Sequence, residues 1–344
     1  MNRRNFLSLC VVFLCSLLLS VSCTPSSETP TGSPATPSGE PVVIGYSAWA
    51  GWWPWAIAEK EGLFAKNGAN VKLQWFDNYT NSIKTLAAGQ LDGNCQTLND
   101  TIAFAGNATK GMVAILVNDN SAGNDKVIVT ADINSVADLK GKKVAVEEGV
   151  VDDFLLTLAL EKEGLKRSDV EIVPLETGQA VAAFAAGKTD AVAAFPPFWL
   201  TALKREGSKE LISSAAFPGA IPDLLVVTQE LIDKRPDQAQ ALVNTWFDIR
   251  EFMQKNPQKA DEIIAERADI PVEDMQKFKA GTRFFTVEDN LEAFSPGKGM
   301  KHMPFAAQEM TQFMLENKFL DKKPDLSKIL NDKFVKAYKQ KKTS

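Results

Sequence analysis

Glu59-Lys-Glu-Gly-Leu63 returns as Glu161-Lys-Glu-Gly-Leu165, and Ala87-Ala-Gly-Gln-Leu-Asp92 returns in pattern as Ala185-Ala-Gly-Lys-Thr-Asp190. Both echoes lie about one hundred residues apart and in the same order, which marks a duplicated unit. Around them, strand-like and helix-like runs alternate. Residues 42–47, 71–76 and 93–98 read as strands. Residues 54–67, 80–88 and 99–110 read as the helices between them, with Gly68, Gly89 and Gly111 as stops. Such alternation predicts parallel sheets with crossover helices, hence two α/β units. Residues 113–118 and 126–130 read as strands joined by the polar Asp119-Asn-Ser-Ala-Gly-Asn-Asp125, a crossing between lobes. A second crossing is expected near Phe217-Pro-Gly-Ala-Ile-Pro-Asp223, ahead of a strand over 224–228. The remainder reads as largely helical, with a core-facing apolar stripe over 237–255.

The 344 residues, 45% hydrophobic and 24% charged, fit a globular protein of roughly two domains. A net charge of −5 leaves no basic surplus to neutralise phosphates, so nucleic acid is not an expected partner. Residues 1–22 read as a signal peptide, in which Arg3-Arg4 precedes an apolar run from Phe6 to about Val21. Arg3-Arg-Asn-Phe-Leu7 resembles a twin-arginine export signal. Val21-Ser-Cys23 resembles a bacterial lipobox, with Ser20 in place of the usual leucine, so Cys23 is the expected lipidation site. Residues 23–41 are almost wholly Ser, Thr, Pro, Gly and Ala and read as a flexible tether. The protein is therefore expected to be exported to the periplasm and anchored to the membrane by lipid, as a monomer. Cleavage at Cys23 removes Cys10 and Cys15 and leaves Cys95 as the other cysteine, so no intrachain disulfide is expected.

The repeat also assigns roles. If residues 45–53 form the first strand-to-helix loop of unit one, residues 146–153 are its counterpart in unit two. Likewise Gln96-Thr-Leu-Asn-Asp100 corresponds to Ala194-Phe-Pro-Pro-Phe198. Loops at the carboxyl ends of strands are where open α/β sheets bind ligands, so these four are expected to face one another across a cleft. The first of them, Trp49-Ala-Gly-Trp-Trp-Pro-Trp55, holds four of the seven tryptophans. Trp49, Trp52 and Trp53 are assigned to the cleft, and Trp55, inside the following helix, to the core.

With "AEKEGLF", "LAAGQLD", "ADLKGKKVAVEEG", "FLLTLALEKEGL" and "FAAGKTDAV" in order, the chain resembles the solute-binding proteins of ABC importers in the nitrate/sulfonate/taurine/bicarbonate group. The resemblance implies a two-lobed α/β periplasmic-binding-protein fold, type II-like, with two crossings and a helical C-terminal extension. On that frame residues 42–119 plus 224–344 form lobe I and residues 120–223 lobe II. It also implies delivery of a small solute to a membrane permease driven by a separate ATPase. Catalysis is not expected. The one histidine, His302, lies far along the chain, and neither metal-ligand spacing nor a phosphate loop is present, so no cofactor or metal is expected. A pyrimidine-forming enzyme of related fold and a tethered ligand sensor are the alternatives of another class.

The four loops and their neighbours carry Asp77, Asp100, Glu147, Glu148, Asp152, Asp153 and Asp223, and no lysine or arginine. A buried anion would meet uncompensated repulsion there. A small cation is favoured by the carboxylates and by indole faces, and guanidine leads on that ground. An oxyanion (an aliphatic sulfonate such as taurine, nitrate or bicarbonate) is the alternative. The ligand-binding set is Ser47, Trp49, Trp52, Trp53, Asp77, Thr97, Asn99, Asp100, Glu148, Asp152, Asp153, Phe195, Phe198 and Asp223. Asp100, Asp152 and Asp153 also stand at predicted helix starts, where capping is the competing role.

Overall fold

The computed structural model describes residues 39–343. The expected signal peptide, Cys23 and nearly all of the expected tether lie outside the described residues. In chain order the strands are β1 (Val42–Tyr46), β2 (Val71–Trp75), β3 (Gly93–Thr97), β4 (Val113–Ser121), β5 (Lys126–Val129) and β6 (Lys143–Val146). They continue as β7 (Glu171–Pro174), β8 (Ala191–Ala194), β9 (Lys209–Ser213), β10 (Pro222–Val227) and β11 (Thr282–Phe284).

Two sheets result, ordered β2-β1-β3-β10-β4-β11 and β7-β6-β8-β5-β9. β2, β1 and β3 run parallel, as do β7, β6 and β8. Each trio is flanked by one antiparallel strand, β10 beside β3 and β5 beside β8. The duplicated sequence is thus a duplicated topology. The chain leaves the first sheet after β4 and returns to it in β10.

The two crossings are fastened to each other. The Ser121 and Ser214 hydroxyls lie 2.7 Å apart, the Gly123 N–H donates to Ser214 Oγ at 2.8 Å, and the Ser214 N–H donates to the Asp125 carbonyl at 2.9 Å. Both crossings differ in extent from the sequence expectation. Asp119, Asn120 and Ser121 continue β4 rather than forming a loop, and β10 begins two residues early at Pro222. These polar residues are buried strand positions, which an apolar pattern does not mark.

The helix expected over 54–67 is two, Trp55–Lys60 and Leu63–Lys66, divided where Gly62 takes a φ of 66°. Trp55 belongs to the core, stacked on Phe64 at 5.9 Å and tilted on Trp246 at 5.1 Å. Each such aromatic pair contributes about 0.5–1.5 kcal/mol beyond its area burial. Trp246 comes from the helix Pro236–Lys255, whose apolar stripe packs inward as expected. The helix Met303–Glu316 reaches the second lobe, where Phe313 meets Phe154 edge-on at 5.3 Å and Asn317 Nδ2 donates to Glu161 Oε1 at 2.8 Å.

Candidate functional site

The carboxyl ends of β1, β2 and β3 face those of β6, β7 and β8. Between them lie an outer cavity of about 180 Å³ and an inner space of about 10 Å³, both touching Ala48, Tyr79 and Phe195. The inner space is the size of one water. Drug-sized pockets run to roughly 300–1,000 Å³, so this cleft suits only a small solute.

Aromatic rings cross it in series. Trp49 lies 6.1 Å from Trp52, Trp52 5.5 Å from Tyr79, Tyr79 6.3 Å from Phe195, and Phe195 5.5 Å from Phe198. The Trp49 indole N–H donates to Asp119 Oδ1 at 3.1 Å. A Cβ on Gly51 would fall 1.7 Å from Asp119 Oδ2, so only glycine lets this loop lie over that carboxyl. Tyr79 opens the helix Tyr79–Ala87, whose N-cap is Asn78. Its hydroxyl donates to Asp100 Oδ2 at 2.7 Å and accepts the Thr97 N–H at 3.0 Å.

Glu147 joins the two sides. One oxygen accepts Thr80 Oγ1–H and lies 3.4 Å from Asn78 Nδ2. The other accepts the Thr177 N–H at 3.2 Å and lies 2.8 Å from Thr177 Oγ1, which is itself 3.0 Å from Asp152 Oδ2. That single hydroxyl hydrogen serves one of the two carboxyls, and a proton on Asp152 supplies the other bond.

Five aspartates around the cleft, Asp100, Asp119, Asp125, Asp152 and Asp223, are buried to 1% exposure or less. Among the described residues, none has a lysine or arginine nitrogen within 4.0 Å. Asp100 is satisfied by Tyr79, Thr97 and Asn99. Asp119 Oδ2, Asp125 Oδ2, Asp152 Oδ1 and Asp223 Oδ2 have no hydrogen-bond partner among the described residues. Burial pushes Asp100, Asp119 and Asp125 up to about 7. For Asp100 the hydrogen bonds from Tyr79 and Thr97 oppose that rise. Asp152 and Asp223 are driven well above the usual carboxyl range by burial and then by neighbouring acids. No three of the described His, Cys, Asp and Glu side chains converge where a metal ion would sit.

Of the residues expected in the cleft, Ser47, Asp77 and Phe198 line the outer cavity. Trp49, Trp52, Thr97 and Asp223 line the inner space, and Phe195 lines both. Asp77 also accepts the Trp75 indole N–H at 2.8 Å. Asn99 and Asp100 stand behind Tyr79 and Thr97, and Asp152 behind Thr177.

Three assignments need correction. Trp53 turns away from the cleft onto Phe278, ring to ring at 5.8 Å, because one helical step separates it from Trp52. Glu148 points to solvent while Glu147 faces inward, as neighbours leaving a strand must alternate. Asp153 is neutralised by Arg167, whose Nε and Nη2 each bond one carboxylate oxygen at 2.8 Å, while Nη2 also takes Glu148 at 2.9 Å. Sequence reasoning missed Asp119 and Asp125, which it treated as crossing residues, along with Glu176, Thr177 and Arg167. Tyr79 was legible only as a neighbour of Asp77.

Residues 35–268 match the NMT1-like family. A binding protein of Brucella abortus (strain 2308) is 31% identical over 272 residues, covering 77% of this chain and 78% of its own. An aliphatic sulfonates-binding protein of Bacillus subtilis (strain 168) is 25% identical, covering 82% of this chain and 84% of its own. The fold is that of the alkanesulfonate-binding protein of Xanthomonas axonopodis pv. citri bound to MOPS. Its TM-score is 0.71 at 18% identity, covering 86% of this chain and 100% of that one. A desulfurization enzyme shares the fold more distantly, with a TM-score of 0.61 at 15% identity over 87% of this chain and 99% of that one. On the family match and the Brucella relative together, the chain belongs to the NMT1-like family.

Proposed function

We propose that this chain is the solute-binding component of an ABC importer, exported and tethered by a lipid on Cys23, and that it closes on a small organic cation. Guanidinium is the leading solute. The observation that carries the cation reading is the set of four buried aspartates, each with one unpartnered oxygen and no ion pair, beside a row of aromatic rings. An ionised, unpaired carboxylate buried there costs several kcal/mol, and a bound cation supplies the counter-charge that lets one ionise. Indole and phenol faces attract the same charge by about 0.5–2 kcal/mol each. Guanidinium also offers N–H donors in several directions, matching acceptors that come from both sides of the cleft.

The second reading is an oxyanion, an aliphatic sulfonate above all, and the name of the Bacillus subtilis relative favours it. Closure is a hinge motion about the crossings near residues 122–125 and 214–221. A thermal-shift screen tests the ligand class, since a solute bound only by the folded state raises the melting temperature. A rise with guanidinium and none with taurine is expected. A rise with taurine alone removes the cation reading.

A further inference from the structure

Asp223 on β10 and Asp119 on β4 are direct cross-strand partners, so their side chains leave the sheet on the same face. Both are buried. Asp223 lines the inner space. Asp119 lies behind it under the tryptophan loop, with Oδ1 taken by Trp49. Among the described residues the second oxygen of each meets no N–H or O–H group, and as a direct cross-strand pair the two residues have Cβ atoms roughly 4.5–5.5 Å apart.

Two carboxylates so placed repel, and a single proton between them turns the repulsion into a charge-assisted O–H···O bond. The surrounding elements offer no better remedy. β3 contributes Cys95 and, just beyond its end, Asp100, and the first crossing contributes Asp125. The helix Pro236–Lys255 brings Arg250, which attracts Asp119 through space without an ion pair and lies over the Phe284 ring at 4.6 Å. Arg283 on β11 is held by Asp289 of the helix Val287–Phe294 at 2.8 Å, and Lys126 is paired with Glu210.

We propose that Asp119 is a positioning residue that shares one proton with Asp223 in the ligand-free protein, and that a cation entering the cleft replaces that proton. The inference rests on the cation reading above. The exchange balances. A singly protonated pair carries one negative charge, and the fully ionised pair with one bound monocation carries the same. The proton leaves to solvent, so binding adds no net buried charge. An anion would need the opposite exchange, uptake of a proton by the pair, so the direction of proton movement separates the two solute classes.

The test is calorimetric titration of the full exported chain with guanidinium chloride near pH 7, in phosphate and in Tris, whose ionisation heats differ. Release of about one proton per guanidinium bound is expected, with affinity falling as pH falls. Asp119→Asn keeps an oxygen to accept the Trp49 N–H but removes the acid, so proton release is expected to vanish while guanidinium still binds more weakly. A merely structural Asp119 would change affinity and leave the proton count alone. Equal heats in both buffers for the wild type overturn the proposal and leave the cation reading standing. Guanidinium that fails to bind at any pH overturns both. If Asp119→Asn does not fold, the protonated-carboxyl C=O stretch of the wild type carries the same test. Loss of one carboxyl's intensity on adding guanidinium is expected, and an unchanged band contradicts the proposal.

Discussion

Glu147, which follows β6 in the second sheet, accepts the Thr80 hydroxyl from the first-sheet helix Tyr79–Ala87. With the longer contact from Asn78 Nδ2 at 3.4 Å, it joins the two walls of the outer cavity, and hydrogen bonds to a charged group are worth about 1.5–3 kcal/mol. Thr80→Val removes the donor without touching the aromatic row. Guanidinium affinity is expected to fall about tenfold, at about 1.4 kcal/mol per decade. X-ray scattering with saturating guanidinium should then show a larger radius than the wild-type complex. Unchanged affinity and radius would mean that this bond does not hold the closed form.

Arg167 is expected to matter for stability rather than for ligand. Asp153 is fully buried and the guanidinium of Arg167 is about a quarter exposed. Arg167→Met leaves the carboxylate unpaired. The full loss for breaking a buried pair is about 3–5 kcal/mol, and partial exposure reduces it to about 2–4 kcal/mol. Denaturant unfolding measures that loss. If Arg167→Met instead abolishes guanidinium binding at undiminished stability, Asp153 belongs to the site after all.

The tryptophans separate by role. Trp52→Ala removes a ring from the inner wall and is expected to weaken guanidinium by about 0.5–2 kcal/mol, roughly two- to thirtyfold. Trp53→Phe, which repacks against Phe278, is expected to leave guanidinium affinity unchanged. Titrations of the two variants side by side give the answer, and the opposite ordering would put Trp53 in the cleft.

Acidity should stabilise the ligand-free protein through its buried acids. Asp100, Asp119 and Asp125 titrate at about 7 in the fold, above the ordinary 3.8. A folded-state pKa raised in this way gives stability that is complete below about 3.8 and is lost as pH rises through about 7. Asn cannot ionise, so Asp125→Asn is expected to gain in melting temperature relative to the wild type from about pH 5 to about pH 8. A difference that stays flat or reverses across that range would show that Asp125 is not held protonated.

Much of the fold was legible because its punctuation is local. Gly68, Gly89 and Gly111, read as stops, take φ of 73°, 72° and 72°. The glycines inside the two echoes, Gly62 and Gly164, share φ of 66° and 75°, although the reading ran a helix through Gly62. The strand ends of β1, β2 and β3 fell within one residue of their reading. The site was less legible wherever a partner arrives from elsewhere. Arg167 reaches Asp153 across the loop that follows the helix Val151–Lys162, and nothing local to Asp153 reports it. Asp119 was hidden because a buried strand end lined with Asn, Asp and Ser looks like a loop when burial is inferred from apolar residues. Which of Glu147 and Glu148 faces inward depends on how the chain leaves β6, and composition is silent on that.

Calorimetric titration of residues 42–344 with guanidinium, taurine, nitrate and bicarbonate tests the central claim most directly. The account expects saturable binding of guanidinium with one site per chain, abolished or strongly weakened by Asp223→Asn, and no heat from the three oxyanion-type solutes. Tight binding of taurine, nitrate or bicarbonate with guanidinium inert would contradict it.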